Sequence, residues 1–309
     1  MPANNSILIL GAGELGMAII QSLKFHPSAL LAPISILLRP APAHPSPEKA
    51  AQLSTLAALS VPIVEADLVA DSIDALAALF KPFHTIISCT GFVAGRGTQL
   101  KLARAVLAAG VPRYFPWQFG VDYDVIGRGS AQDLFDEQLE VRDLLRGQRG
   151  TEWVIVSTGM FMSFLFEPWF GVVDVMSSSR EKKARALGSW ENEVSVTTVE
   201  DIGRLTAEIV FVEPRVRNQV VFTAGETVSY GRLADVVEEV LGERVVREMW
   251  SAEFLEEELA MDPDDAIKKY MVVFAKGKGV SWGLEKTFNA QKGIEVVGVE
   301  EWASKNLKK

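Results

Sequence analysis

The stretch SILILGAGELG, residues 6–16, decides the fold. An apolar run, Ile7 to Leu10, feeds directly into Gly11, Gly13 and Gly16, and a helix-like segment from Leu15 to Leu23 follows. Strand, G-x-G-x-x-G turn and helix in that order form a dinucleotide-binding fingerprint. Gly11 allows the tight turn, Gly13 lets the backbone approach a pyrophosphate, and Gly16 lets the helix pack closely on the sheet. The anion then meets the N–H groups left unpaired at a helix N-terminus.

Outward from this loop, strand and helix signals alternate. ISILLR, 34–39, is a continuous apolar run of the kind that fills a parallel sheet covered on both faces. It ends in Arg39, about twenty residues beyond the glycines, where an acidic residue would accept the ribose hydroxyls of NAD. An arginine there suits a 2'-phosphate, so NADP is expected. PAPAHPSPEK, 40–49, is too rich in proline for a strand or helix interior and reads as a loop beside the adenosine end, with Lys49 as a second phosphate contact. Helices are expected near 48–59 and 71–80, with strands at VPIVEAD and HTIISC. The latter closes on Thr90-Gly91, small residues that leave room for a ribose. A helix within 95–110 leads to the strand VPRYFP. These repeats predict a Rossmann-type doubly wound parallel sheet in an α/β fold.

WQFGVDYDVIGRGS, 117–130, is aromatic, polar and glycine-bearing on a loop after a strand, a place that ligand sites favour. Ser130 is expected to cap a helix over 131–147. EWVIVSTG, 152–159, is a further strand. The aromatic run GMFMSFLFEPWFG, 159–171, is suited to wall an apolar pocket. SSSREKKARALG, 177–188, reads as a solvated loop or an edge strand. SVTTVEDIGRLTAEIVF starts a helix at Thr198 or Glu200-Asp201, and NQVVFTAG is a strand. Helices at 229–241 and 251–261 flank the strand VVREMW. Another helix begins within 262–279, where the lysines read as surface charge, and VEEWASKNLKK closes the chain as a helix. The expected division is a dinucleotide-binding domain over 1–157 and a smaller, interrupted substrate-binding α/β region over 158–309, with 189–223 partly returning to the first.

The 309 residues suffice for one large or two modest domains. A net charge of -9 argues against a general affinity for nucleic acid, which needs a basic field. The single cysteine, Cys89, excludes an internal disulfide and lies in an apolar run, as a buried strand thiol does. His26, His44 and His84 are scattered, so no metal is expected. Neither a basic and apolar leader nor a membrane-length apolar run is visible. The expectation is a cytoplasmic monomer or homodimer whose partner is a small apolar molecule, with neither membrane nor nucleic acid involved.

PRYFPWQFGVD resembles the segment R-F-x-P-S-E-F-G of plant isoflavone, phenylcoumaran benzylic ether and pinoresinol reductases. FDEQLEVRDLLR resembles their following helix, F-x-x-K-x-x-x-R, and VEDIG is similar to another family signature. The chain thus resembles the NmrA-like and isoflavone-reductase-like proteins, a branch of the atypical short-chain dehydrogenases, and looks most like fungal members of secondary-metabolite pathways. The resemblance implies that Gly11, Gly13, Glu14, Leu15 and Gly16 hold the pyrophosphate and that Arg39 takes the NADP phosphate. Thr90, Gly91 and Phe92 lie beside the nicotinamide ribose. Gln118 and Phe119 lie near the nicotinamide, with Thr158 and Gly159 approaching it. Trp117 and Met160, together with Phe161, Phe164 and Trp169 of the aromatic run, are the expected substrate contacts.

The departures from that pattern concern catalysis. Trp117 and Gln118 replace the S-E of S-E-F-G, and Gln138 stands where the reductases place a lysine. A glutamine can hydrogen-bond a carbonyl but cannot give up a proton near neutral pH. The Tyr-x-x-x-Lys pair of other short-chain enzymes is missing too. Tyr123 and Gln138 are the catalytic candidates, with Asp122, Asp124 and Asp133 as alternative acids. Three functions fit: NADPH-dependent reduction of a C=C, C=O or C=N bond in an apolar, aromatic or alkaloid-like metabolite; a non-redox isomerase or cyclase reaction in the same pocket; or cofactor sensing by an NmrA-like regulator without turnover.

Overall fold

The computed structural model describes residues 5–40, 44–92, 95–175 and 181–307, which leaves parts of the proline-rich loop and of the polar stretch 177–188 outside the described residues. The chain divides into two compact units. The first holds residues 1–118, 137–156 and 202–221; the second holds 119–136, 157–201 and 222–309.

The first unit is built on β1 (Ile7–Leu10), β2 (Ile34–Leu38), β3 (Ile63–Glu65), β4 (Thr85–Ser88), β5 (Arg113–Phe115), β6 (Glu152–Ser157) and β11 (Gln219–Phe222). They form one seven-stranded sheet in the order β11-β6-β5-β4-β1-β2-β3. The pairs that join β3 through β2, β1, β4 and β5 to β6 are all parallel. Every residue of β1 and β4 is buried, as the continuous apolar runs require of strands covered on both faces. The helices between them are α1 (Glu14–Phe25), α2 (Pro47–Ala58), α3 (Ile73–Phe80), α4 (Thr98–Ala109) and α6 (Leu134–Arg146). Leu15, Ile19, Ile20 and Leu23 of α1 are buried at helical spacing, and each such side chain contributes about 1.5–3 kcal/mol relative to exposure. Below the strands Leu8, Leu10, Leu37, Ile86, Tyr114 and Ile155 share one core cluster.

The chain runs outward from β1 to β3, then crosses back to β4 on the other side of β1. In such sheets ligands bind beyond the strand C-termini at this reversal. The glycine loop after β1 and the Thr90-Gly91 turn after β4 are therefore neighbours. The Thr90 hydroxyl donates to the Leu10 carbonyl at 3.0 Å. On the far side, buried Arg113 of β5 donates to the carbonyls of Val210, Ile209 and Val216. It closes the C-terminus of α7 (Val199–Phe211), the end of a helix that favours a cation. Thr198 caps the start of that helix through the Asp201 N–H.

The second unit has two three-stranded sheets. One contains β7 (Met160–Phe161), β10 (Glu193–Thr197) and β12 (Glu226–Ser229); the other contains β8 (Val173–Asp174), β9 (Lys183–Leu187) and β13 (Val246–Trp250). In each, the middle strand has one parallel and one antiparallel neighbour. Around them lie α5 (Tyr123–Ile126), α8 (Tyr230–Leu241), α9 (Ala252–Met261), α10 (Ala266–Ala275), α11 (Phe288–Lys292) and α12 (Val299–Asn306). The Asp201 carboxylate accepts the Val297 N–H at 2.8 Å and the Glu226 carboxylate accepts the Val299 N–H at 2.7 Å. The aspartate of VEDIG, Asp201, thus anchors the C-terminal segment.

Several local expectations are corrected. The described part of 177–188 contains β9, which is a middle strand rather than a loop or an edge: Ala184 and Ala186 are buried by its alternation, and the charged stems of Lys183 and Arg185 reach Glu248. β10 and β12 were not expected, because both are short and rich in Glu, Thr and Ser. Ser130 does not cap α6, which begins at Leu134; its hydroxyl donates to the Gln132 carbonyl instead. Lys268 and Lys269 are not free surface charge but half-buried partners of Glu258 and Asp133.

Candidate cofactor and catalytic residues

The glycine loop carries the sharpest geometry in the first unit. Gly11 has φ +94°, and a Cβ there would stand 2.8 Å from the Thr90 hydroxyl. A Cβ on Gly16 would lie 2.2 Å from the Gly11 carbonyl oxygen, so no other residue fits without moving the backbone. Gly13 differs: a Cβ there would meet nothing within 4 Å. The backbone is open to a ligand at the very glycine whose lack of a side chain allows a pyrophosphate to approach. Gly13 is also the N-cap of α1 and offers no side chain to its first N–H groups. The residues present fit a dinucleotide.

Gln52, a side chain absent from the expected set, holds this loop together with Lys49. Gln52 of α2 donates its amide to the Ala12 carbonyl, and Lys49 donates to Gln52 Oε1 at 2.7 Å. Arg39, at the end of β2, is largely exposed and pairs with Asp67 at 3.6 Å. Backbone N–H groups of Ala70 and Val69, then the charge of Arg39, hold the Asp67 carboxyl below its usual range. An exposed pair of this kind contributes little to stability and leaves the guanidinium available.

Beyond β4, Gly91 and Phe92 lie against Trp117. The Trp117 ring would touch a Gly91 Cβ at 3.0 Å, and Phe92 meets it edge-on at 4.6 Å. The Gln99 amide donates to the Thr90 carbonyl at 2.7 Å. Glu137 accepts from the N–H groups of Gly97 and Leu100 at the start of α4, at 2.8 and 3.0 Å. A carboxylate is well placed at a helix N-terminus. Cys89, directly after β4, is buried and its thiol is pushed up by desolvation, so it is inert.

Gln118, Gln138 and Arg142 form a buried polar group. Arg142 Nε donates to Gln118 Oε1 at 2.8 Å, and Gln118 Nε2 donates to the Gln138 carbonyl at 2.9 Å. The side chain of Gln138 itself is fully buried, and among the described residues neither amide atom has a hydrogen-bond partner. Leaving a buried polar group unsatisfied costs about 1–3 kcal/mol, so this amide requires an explanation.

The other candidates lie in the second unit. Tyr123 is buried on α5 with its ring 4.9 Å from Phe135, edge-on, and its hydroxyl faces Gly120. Phe135 packs in turn on Tyr270 at 5.7 Å. Asp122 caps α5 through the N–H groups of Asp124 and Val125, and Asp133 pairs with Lys269. Thr158 and Gly159 direct their N–H groups at the Gly120 carbonyl. Phe119 and Met160 are buried, whereas Phe164 and Trp169 are substantially exposed. Phe161, Phe164 and Trp169 form a chain of rings at 5.6 and 5.3 Å. Tyr123 and Gln138 thus belong to different units.

Gln52 and Glu137 were missed because each acts on backbone groups far along the chain, and Gln99 because its bond crosses the turn between β4 and α4. Arg142 was visible as the arginine of the helix motif, but its bond to Gln118 was not.

Parallel sheet, order reversal and open glycine loop define the class of dinucleotide-binding Rossmann-type α/β proteins. Residues 3–303 match the model of the NmrA-like family, and the chain belongs to that family. It is 48% identical over 301 residues to an NmrA-like family domain-containing oxidoreductase of Gibberella moniliformis, covering 97% of each chain. It is 26% identical over 300 residues to a phenylcoumaran benzylic ether reductase of Pyrus communis, covering 94% of this chain and 93% of that one. Among solved structures, the leucoanthocyanidin reductase–NADPH complex from Vitis vinifera superposes with a TM-score of 0.80 at 20% identity, covering 97% of this chain and 99% of that one. Among the described residues no helix is long and apolar enough to cross a membrane.

Proposed function

We propose that this protein is an NADPH-dependent reductase of an apolar, aromatic or alkaloid-like metabolite. The observation that carries the reading is the glycine loop, closed at Gly11 and Gly16 and open at Gly13, with Arg39 at the end of the adjacent strand. Gly11, Gly13, Glu14, Leu15 and Gly16 would hold the pyrophosphate, and Arg39, aided by Lys49, the 2'-phosphate. A 2'-phosphate carries more charge than Asp67 and engages the guanidinium fork in paired hydrogen bonds. Thr90, Gly91, Phe92, Gln118, Phe119, Thr158 and Gly159 are proposed for the nicotinamide half. Trp117, Met160, Phe161, Phe164 and Trp169 are proposed for the substrate. The oxidoreductase relatives in the family support the activity.

When bound, NADPH supplies the hydride. The chain's own residues orient the acceptor and keep water away. Tyr123 has a hydroxyl but is buried in the second unit, and Gln138 offers hydrogen bonds but no proton.

A panel of apolar carbonyl, alkene and imine substrates tests the reading by NADPH absorbance and product mass. Stoichiometric NADPH loss with a product two hydrogens heavier supports it. Product formation that continues when NADP+ replaces NADPH would favour an isomerase or cyclase. NADPH binding without turnover, together with a partner protein captured in one redox state only, would favour the cofactor-sensing regulator. The glutamine at position 138 is the observation behind that second reading.

A further inference from the structure

The glycine loop contains one peptide that its own residues do not lock. Gly13 has φ -65°, and a Cβ there would meet nothing within 4 Å. Glycine populates φ above zero about as readily as below it, so the Ala12–Gly13 peptide plane can turn over at little steric cost. The bond that holds it comes from α2. Gln52 donates its amide to the Ala12 carbonyl, and Lys49 donates to Gln52 Oε1 at 2.7 Å. Lys49 and Gln52 are three positions apart and so share a helix face. An ammonium has donors and no acceptor, so it selects the oxygen end of the Gln52 amide and leaves the nitrogen for Ala12. Lys49 is itself fixed at the start of α2, where its N–H donates to the Ser46 hydroxyl at 3.2 Å.

In a planar trans peptide the carbonyl and the following N–H point in opposite directions, and Ala12–Gly13 is trans. With the Ala12 carbonyl turned to Gln52, the Gly13 N–H faces away from α2. Turned over, the same peptide would set a carbonyl dipole against an anion at the start of α1, where the first N–H groups have no intrahelical partner. On the reading that this loop holds the pyrophosphate of NADP, we propose that Gln52, oriented by Lys49, is a positioning residue that presents the Gly13 N–H to that pyrophosphate. Lys49 thereby serves more than the 2'-phosphate: through Gln52 it supports a contact that NADPH and NADH share. Arg39 supports only the contact that NADPH makes alone.

The test measures the affinities of NADPH, NADH and adenosine 2'-monophosphate by titration calorimetry, for the wild type, Gln52→Leu, Gln52→Glu and Lys49→Met. Adenosine 2'-monophosphate keeps the 2'-phosphate but has no pyrophosphate. Loss of one hydrogen bond changes an equilibrium about two- to tenfold. Gln52→Leu weakens NADPH and NADH by that same factor and leaves adenosine 2'-monophosphate unchanged. Gln52→Glu keeps the shape and the Lys49 contact but has no donor for Ala12, so it loses dinucleotide affinity in the same way. It decides the matter should Gln52→Leu fail to fold. Lys49→Met weakens NADH as well as NADPH, and combining it with Gln52→Leu weakens NADH no further than Gln52→Leu alone. Unchanged NADH affinity in both Gln52 variants would overturn the proposal and leave the NADP reading intact. So would a loss of adenosine 2'-monophosphate affinity equal to that of NADH, the mark of general damage to the unit. NADH binding that survives Lys49→Met would overturn the orienting role of Lys49. A wild type that binds neither dinucleotide would overturn the proposal and the NADP reading together.

Discussion

β1 of the first unit and β9 of the second are both buried strands, but they announce themselves differently. β1 is apolar at every position because a parallel strand is covered on both faces, and it leads into a loop in which Gly11 and Gly16 are fixed by contacts of a few ångströms. β9 reads KARAL: small buried residues alternate with cations whose heads meet Glu248 on the neighbouring strand. The first unit is thus specified by local pattern and close backbone packing, and the second by side-chain pairs between short strands. Cofactor affinity belongs to the first kind of specification and tolerates little change. Substrate preference, proposed to rest on the exposed rings of Phe164 and Trp169, would belong to the second and tolerate more.

The largest test of this contrast is Gly16→Val. The new side chain collides with the Gly11 carbonyl, and overpacking of this kind costs about 1–3 kcal/mol or more. NADPH affinity falls more than about tenfold, and the melting temperature falls with it, as fluorescence titration and thermal unfolding will record. Arg39→Ala comes next. It removes charge-assisted bonds of about 1.5–3 kcal/mol, which weakens NADPH roughly 10–100-fold and leaves NADH nearly unchanged. Trp169→Ala breaks the ring contact with Phe164, worth about 0.5–1.5 kcal/mol, and raises the KM for an aromatic substrate about two- to tenfold. Its NADPH affinity stays at the wild-type value; a matching loss would erase the distinction between the units. A smaller effect is expected from Asp67→Asn, which releases Arg39 and raises NADPH affinity, but not NADH affinity, by about twofold.

The smallest effect is a pH dependence in the first unit. His84 is held below its ordinary pKa of 6.5, first by desolvation and then by the charges of Arg215 and Arg113. The folded state therefore binds its proton less readily than the unfolded chain. Its stabilising contribution is present above pH 6.5 and is lost as the pH falls through the lower folded value. His84→Asn flattens the stability curve on that acidic side, as denaturant unfolding at stepped pH will show.

The same contrast explains what was legible in the sequence. The parallel strands, the helices between them and the cofactor glycines were readable because continuous apolar runs and G-x-G-x-x-G are local signals. β10 and β12 were not, because Glu193 to Thr197 and Glu226 to Ser229 owe their strand form to pairing with each other. Gln138 was identified from its place in a motif, but that its amide would be buried without a protein partner is a tertiary fact. Gln52, Gln99 and Glu137 act on carbonyl or N–H groups of other elements, and no spacing rule reports such contacts. The aspartate of VEDIG read as a helix start, whereas its carboxylate holds the C-terminal segment.

The central claim is that the first unit is built for NADP. Parallel fluorescence titrations of NADPH and NADH, on the wild type and on Arg39→Ala, test it most directly. The wild type is expected to bind NADPH more tightly than NADH, by about tenfold or more, and the variant to bind both equally. Equal affinities in the wild type, or a preference that survives the loss of Arg39, would contradict it.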